Sequence, residues 1–358
     1  MELKKRMKKS LAAGICTLLL LTGCSGNVAS GDVISENEMA EAAVSENTIS
    51  EDVVLENILS ENVPVFVSWE DAGLEDHVME WKDVYLQLCM KVVTGIEDRD
   101  IMLSDVWEYT ELDLHQGERR INGISYEMPY ISSIDALGEL KNLQVLNLGY
   151  QYNLDDISAL SSLTNLRELD LWHIEGWGKC DLSDLSMLSG LTNLEILNLG
   201  GNIGISDLGA LSGLTNLREL NLASHRFISD ISELSTLTNL EKLNLSCDGG
   251  NGIYDISALS GLTNLRELNL NDNQISDLSA LSGMKSLEVL ELEGNEISDI
   301  SVLSGMVNLR VLDLTENEIC DISMLSELTC LEQLFVGRNP LQDDSVSWYN
   351  SWCIEHDQ

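Results

Sequence analysis

The nine residues LTNLRELNL occur twice without change, at 214–222 and 262–270, and LTNLRELDL (163–171) and LTNLEILNL (191–199) are near copies. No single copy of so short an apolar phrase can bury its own leucines, so the copies have to stack on one another. The underlying pattern is LxxLxL. It falls at Leu143-Leu146-Leu148, Leu166-Leu169-Leu171, Leu194-Leu197-Leu199, Leu217-Leu220-Leu222 and Leu240-Leu243-Leu245. It continues at Leu265-Leu268-Leu270, Leu287-Leu290-Leu292, Leu309-Leu312-Leu314 and, degraded, Leu331-Leu334-Val336, after a weaker first copy in Tyr109, Leu112 and Leu114. Most copies are spaced by 22 or 23 residues. The copy at Leu166 takes 28, through WHIEGWGKC, and the copy at Leu240 takes 25, through DGGNG.

Within a copy, leucines alternate with polar residues, as Leu290 and Leu292 do with Val289, Glu291 and Glu293. Period two predicts a strand with leucines inward and the intervening residues outward, and stacked copies predict a parallel sheet of ten strands. Asn202, Asn273, Asn295, Asn317 and Asn339 hold the next fixed position, where an amide can satisfy backbone groups freed as the chain leaves the sheet. His225 and Asp248 stand there in two copies, which predicts less regular turns. The Ile-Ser-Asp-Ile-Ser-x-Leu stretch that follows is too short for an α-helix and predicts a 3₁₀ turn. The residue after the first leucine alternates in sign through eight copies: Arg167, Glu195, Arg218, Glu241, Arg266, Glu288, Arg310, Glu332. Stacking makes these neighbours, so an edge ladder of opposite charges is expected, each pair contributing ~0.2–1 kcal/mol at best.

Over 106–340 these residues resemble the 22-residue bacterial leucine-rich repeats of the internalin kind. The resemblance implies an α/β solenoid: a leucine-rich repeat horseshoe with a parallel concave sheet, short 3₁₀ turns on the convex side and a helical N-terminal cap. FVSWEDAGLEDHVMEW and the helix after it resemble that cap, assigned to 64–105. Within it, Val78, Trp81, Tyr85, Leu88 and Val92 follow helical steps behind an N-cap expected at Asp71, and a second short helix is expected between Glu97 and Trp107. Residues 341–358 should close the other end through Leu341, Val346, Trp348 and Trp352.

The first 23 residues read as an export signal: Lys4, Lys5, Arg6, Lys8 and Lys9, then an apolar run from Leu11 to Leu21, too short for the ~20 residues a spanning helix needs. Leu21-Thr22-Gly23-Cys24 resembles the lipobox of bacterial lipoproteins, which implies a diacylglyceryl thioether on Cys24 and anchoring to the outer face of the cell membrane. Residues 25–63 carry nine acidic side chains, no basic one and no aromatic. Such a segment cannot bury enough to offset its ordering entropy, and a disordered tether is expected. Removing the signal takes away five of the 20 basic and one of the 60 acidic residues, leaving a formal net charge of −44. That excludes nucleic acid, whose recognition needs a basic footprint, and leaves the lipid as the only expected membrane contact. Cys89, Cys180, Cys247, Cys320, Cys330 and Cys353 form no CxxC pair and no zinc spacing, and most are expected to be buried small hydrophobes.

No HExxH, GxSxG or phosphate loop is present, so no catalysis and no cofactor are expected. Function should reside on the concave face, where nine carboxylates stand against one cation, Lys242. The candidate binding residues are Glu168, Asp170, Asn198, Glu219, Asn221, Glu267 and Asn269, with Tyr150, Trp172 and His173 beside the longest excursion. Trp172 either presents its ring between Gly149 and Gly200 as a binding anchor or is covered by Trp177. The expected activity is recognition of a protein partner, from a host or from the cell's own envelope. Glycan binding through exposed aromatics and a passive envelope spacer are the alternatives.

Overall fold

The structure, a computed structural model, describes residues 75–121, 124–128, 130–154, 156–174, 182–247 and 252–355. The signal, Cys24, the acidic segment 25–63, Asp71, Trp177, Cys180 and Asp248 lie outside these residues. Ten three-residue strands form one parallel sheet in sequential order: β1 (Glu111–Asp113), then β4 (Val145–Asn147), β5 (Glu168–Asp170), β6 (Ile196–Asn198), β7 (Glu219–Asn221), β8 (Lys242–Asn244), β9 (Glu267–Asn269), β10 (Val289–Glu291), β11 (Val311–Asp313) and β12 (Gln333–Phe335). Equivalent residues pair across every interface, as Leu220 does with Leu243. Between β1 and β4 the chain makes an antiparallel hairpin, β2 (Gly117–Ile121) and β3 (Ile124–Met128), which no repeat pattern signals.

Each repeat gives its neighbours the same set of apolar side chains. In one copy these are Leu265, Leu268, Leu270, Ile275, Leu278, Leu281 and Met284, none more than 2% exposed. At ~1.5–3 kcal/mol per buried side chain, this stacking is the main favourable term of the fold. The opposite side carries 3₁₀ turns, from Asp135–Glu139 to Ser323–Glu327. Each later turn is entered through an aspartate whose carboxylate accepts the backbone N–H two residues on. Asp156 takes Ser158, Asp230 takes Ser232 and Asp299 takes Ser301, at 2.8, 2.9 and 2.8 Å. These N–H bonds from serine hold the three carboxyls below their usual range.

Two rows of asparagine tie the repeats together. The asparagine of LTNL reaches back to the preceding repeat: Asn193 donates to the Thr164 carbonyl, Asn216 to Thr192 and Asn239 to Thr215, each at 2.9 Å. The second row is buried. Asn295 donates to the carbonyls of Leu270 (3.0 Å) and Leu292 (3.1 Å) and accepts from the N–H of Ile275 at 3.0 Å. Asn273, Asn317 and Asn339 repeat this arrangement, and Asn202 does so from the far side of the long excursion. The residue before each of these positions is left-handed where the chain turns out of the sheet, as at Gly201, Ser224, Asp272, Gly294 and Glu316.

His225 interrupts the buried row. Ser224 keeps the left-handed turn, but the imidazole is buried with neither nitrogen in a hydrogen bond. Ile205, which an asparagine at 225 would serve, falls back on a 3.4 Å bond to the Asn202 carbonyl. The charge ladder forms at six of its seven steps, the exception being Glu288 to Arg310. Arg167–Glu195 (3.0 Å), Arg218–Glu241 (2.8 Å), Arg266–Glu288 (2.7 Å) and Arg310–Glu332 (2.9 Å) are ion pairs, and Glu195–Arg218 and Glu241–Arg266 stand at 3.9 Å.

Both ends depart in part from the sequence reading. The first helix, α1, runs over Val84–Thr94, so Val78 and Trp81 precede it, and Val78 bridges to Met102. Its N-cap is Asp83, whose carboxylate takes the N–H groups of Tyr85 and Leu86 and, from the first repeat, the backbone and hydroxyl of Ser132. Burial alone would raise this carboxyl; the serine and backbone donors outweigh it and hold it low. Anchored this way, α1 turns Leu86, Cys89 and Met90 inward and leaves Tyr85 and Leu88 exposed, the reverse of the expected face. The second helix, α2, is the single turn Leu103–Val106. At the C-terminus α3 (Asp343–Glu355) buries Trp352 and half-buries Leu341 and Trp348, but Val346 is exposed and Ser345 takes the inward place, donating to Asp321 and accepting from Ile322. The cysteines also divide. Cys89 and Cys247 are buried and Cys353 half-buried, whereas Cys320 and Cys330 are exposed because they hold the outward serine and asparagine places of their repeats.

Burial outweighs the nearby carbonyls of Asn202 and Leu199, which favour the charged ring, and holds His225 neutral, lowering its pKa from 6.5 to about 4. Above pH 6.5 it is neutral in both folded and unfolded chains. As pH falls the unfolded chain takes a proton that the folded one refuses, so up to about 3 kcal/mol is lost between pH 6.5 and 4. His225→Asn should remove this loss and raise stability at neutral pH. Denaturant unfolding of both chains at pH 7 and pH 4 checks it: the gap widens by that amount, and a constant gap rejects the assignment.

Candidate functional face

The concave side of the sheet forms a shallow trough of about 590 Å³ running from Val145 to Glu291. It brings together Glu168 and Asp170 of β5, Asn198 of β6, Glu219 and Asn221 of β7, and Glu267 and Asn269 of β9. Lys242 and Asn244 of β8 stand among them. Tyr150, Trp172 and His173 are not part of its lining; they lie in the turns beyond the ends of β4 and β5.

The second outward column is locked from within. It is formed by the last residue of each strand, and from β4 to β8 the side-chain oxygen accepts the backbone N–H two residues on: Asn147 from Gly149 (2.9 Å), Asp170 from Trp172 (2.7 Å), Asn198 from Gly200 (3.2 Å), Asn221 from Ala223 (3.0 Å) and Asn244 from Ser246 (3.0 Å). The bond fixes the oxygen and leaves the amide nitrogen as the group each asparagine offers. Asn269 spends its nitrogen on Glu291.

Two of the trough's carboxylates, Glu168 and Glu291, are held against their preference. Enclosure raises Glu168, and Glu111, Glu195 and Glu219 raise it further. Glu291 is raised by enclosure and by Asp313. Lys242 lies 3.5 Å from both Glu219 and Glu267. Burial opposes its charge, but the two carboxylates outweigh burial and raise its pKa. Among the described residues no three metal-ligating side chains converge.

Gly200 is the floor on which the Trp172 ring lies: a methyl group there would run into Cε3 and Cζ3 of the indole. Trp172 is therefore half-buried, one face against backbone. Tyr150 and His173 occupy successive left-handed positions, φ 61° and 50°. This sets their rings outward and stacked, 5.9 Å apart. Tyr152 meets His173 edge-on at 5.4 Å, and Tyr130 leans on Tyr152 at 5.7 Å. The sequence reading did not find Tyr130, because the hairpin that delivers it to the rim has no repeat signature. Gln151 was missed too. It sits fully buried in the asparagine row, accepting from Ile131 at 2.8 Å and donating to the Leu114 carbonyl, and its place in the repeat was the available signal.

Residues 192–236, 238–283 and 285–327 match the family model for leucine-rich repeats (two copies). Among solved structures the chain is similar to the internalin inlF of Listeria monocytogenes str. 4b F2365, with 29% identity over 74% of this chain and 85% of that one and a TM-score of 0.53. It is also similar to internalin C2 of the same organism, with 27% identity, 73% and 93% coverage and a TM-score of 0.46. No curated protein matches the sequence. The fold is thus a leucine-rich repeat solenoid, a scaffold whose extended concave surface serves generally for binding.

Gly200→Ala should push the indole of Trp172 off its floor. Acrylamide quenching of tryptophan fluorescence should rise in Gly200→Ala and not in Gly200→Ala made on a Trp172→Phe background. Equal quenching in parent and variant would show that the ring does not rest there.

Proposed function

We propose that this chain is a non-catalytic binding module that recognises a protein partner through the acidic concave face, with Trp172 as an anchor on the rim. The observation that carries the reading is the set of carboxylates in the trough. Glu168 has no ion-pair partner among the described residues and is raised by enclosure and by three like charges against the opposing pull of Arg167, so its charge costs the fold stability, which supports a role toward a partner. A positively charged surface would be steered to such a face, and the steering would weaken with salt. The N-terminal pattern supports export with a lipid on Cys24, the acidic residues 25–63 serving as a tether that presents the array at the cell surface. The described helices include none long and apolar enough to cross a membrane. Residues 64–105 and 341–358 act as lids on the stack. The partner belongs to a host or to the cell's own envelope.

One observation favours glycan binding as a second reading: Tyr130, Tyr150, Tyr152 and His173 form a continuous aromatic edge, with Tyr150 42% exposed. A single titration series separates the two. The full chain is titrated with proteins of positive and negative net charge and with arrayed glycans, at low and high salt. The protein reading expects saturable binding to positive proteins that weakens with salt and falls ~30-fold with Trp172→Ala or with Glu168→Gln plus Asp170→Asn. Salt-insensitive binding to sugars, lost with Tyr150→Ala, would replace it with the second reading.

A further inference from the structure

The first concave column has a period of two strands. Glu168 stands on β5, Glu219 on β7 and Glu267 on β9, with Ile196 and Lys242 between them. Parallel strands lie about 4.8 Å apart, so these carboxylates recur about every 9.6 Å. In the second column Asn198, Asn221 and Asn244 occupy three consecutive strands, β6 to β8. Their oxygens are taken by the turn bonds at 3.0–3.2 Å, and their amide nitrogens have no hydrogen-bond partner among the described residues.

A fixed row of N–H donors beside evenly spaced carboxylates suits a ligand that offers free carbonyls along its length and cations at the same spacing. A polyproline II segment does both. It makes no internal hydrogen bonds, and at about 3.1 Å rise and three residues per turn it sets every third residue on one face, about 9.3 Å apart. A strand laid the same way sets same-face residues about 6.7 Å apart and falls out of step with the carboxylates.

We propose that the trough binds an extended segment of a partner protein, polyproline II in conformation, with Lys or Arg at every third position. The segment lies across β5 to β9. Its basic side chains meet Glu168, Glu219 and Glu267, and its carbonyls accept from Asn198, Asn221 and Asn244. This rests on the concave-face reading above and narrows it from any positive protein surface to an extended segment. Lys242, 3.5 Å from Glu219 and from Glu267, stands where an incoming cation would be held.

Calorimetric titration of the full chain tests this with two proline-containing nine-residue peptides of identical composition, three lysines each, placed every third position in one and every second in the other. The first should bind ~10-fold tighter than the second. Asn198→Asp combined with Asn221→Asp keeps the oxygen that closes each turn, as Asp170 does naturally, while deleting both donors and adding negative charge. The inference expects this variant to bind the first peptide ~10-fold more weakly, the loss of about two hydrogen bonds, and Lys242→Gln to bind it more tightly. Equal binding of the two peptides, or tighter binding by the Asn→Asp variant, would mean that charge alone acts and would overturn the inference. Binding of a folded basic protein that is sensitive to Glu168→Gln, with neither peptide bound, would also overturn it but leave the concave-face reading standing. If Glu168→Gln changes no binding of any kind, both fall.

Discussion

The buried asparagine row is the interaction on which the architecture turns. Leaving a parallel sheet at the same point in every repeat strands two carbonyls and an N–H inside the stack, where unpaired polar groups cost about 1–3 kcal/mol each. One amide per repeat satisfies all three, from Asn273 through Asn339. Because the leucines bury the inner side, the asparagines close the rim and the second outward column holds the turns, the first outward column is left with little structural duty and is free to carry charge.

Substitutions within the row show how much variation it tolerates. Gln151 reaches the Leu114 carbonyl and the Ile131 N–H with one extra methylene, and this lets the row receive a segment arriving from the hairpin. His225 fills the space and lies against the carbonyls of Asn202 and Leu199 without a well-formed hydrogen bond to either, and a neutral, solvent-excluded imidazole results. The outer row of LTNL asparagines and the Arg–Glu ladder lie at the surface, where each contact adds little alone and keeps equivalent repeats in register.

What was legible in the sequence is what the stack repeats. The leucines, the asparagine position, the alternation from Arg167 to Glu332 and the ten strands follow from period, since each repeat meets the same neighbours. The aspartate before each 3₁₀ turn was in view as Ile-Ser-Asp, but its Asx bond to the serine N–H is a local geometry that spacing does not encode. The ends have no such neighbours. Around α1 two helical faces satisfy the same spacing, and the choice between them rests on Asp83 finding Ser132, 49 residues away. In the candidate site the trough residues were legible because they sit at fixed places in the repeat. The rim was not, because Tyr130 comes from a non-repeating hairpin and the pose of Trp172 depends on the absence of a side chain at Gly200.

A residue kept for the fold stabilises it, and one kept for a partner can oppose it. On the proposed reading Glu168 belongs to the second kind: it is enclosed, surrounded by Glu111, Glu195 and Glu219, and raised above its ordinary 4.5. A carboxyl raised in the folded state stabilises when protonated, so at neutral pH its charge is a cost that fades as pH falls through its titration. The most direct measurement is the denaturant midpoint of Glu168→Gln against the parent at pH 7 and at pH 4. The account predicts a higher midpoint for the variant at pH 7 and a smaller difference at pH 4. A lower midpoint at pH 7 would mean that the concave carboxylates hold the array together, and would contradict the assignment of that face to binding.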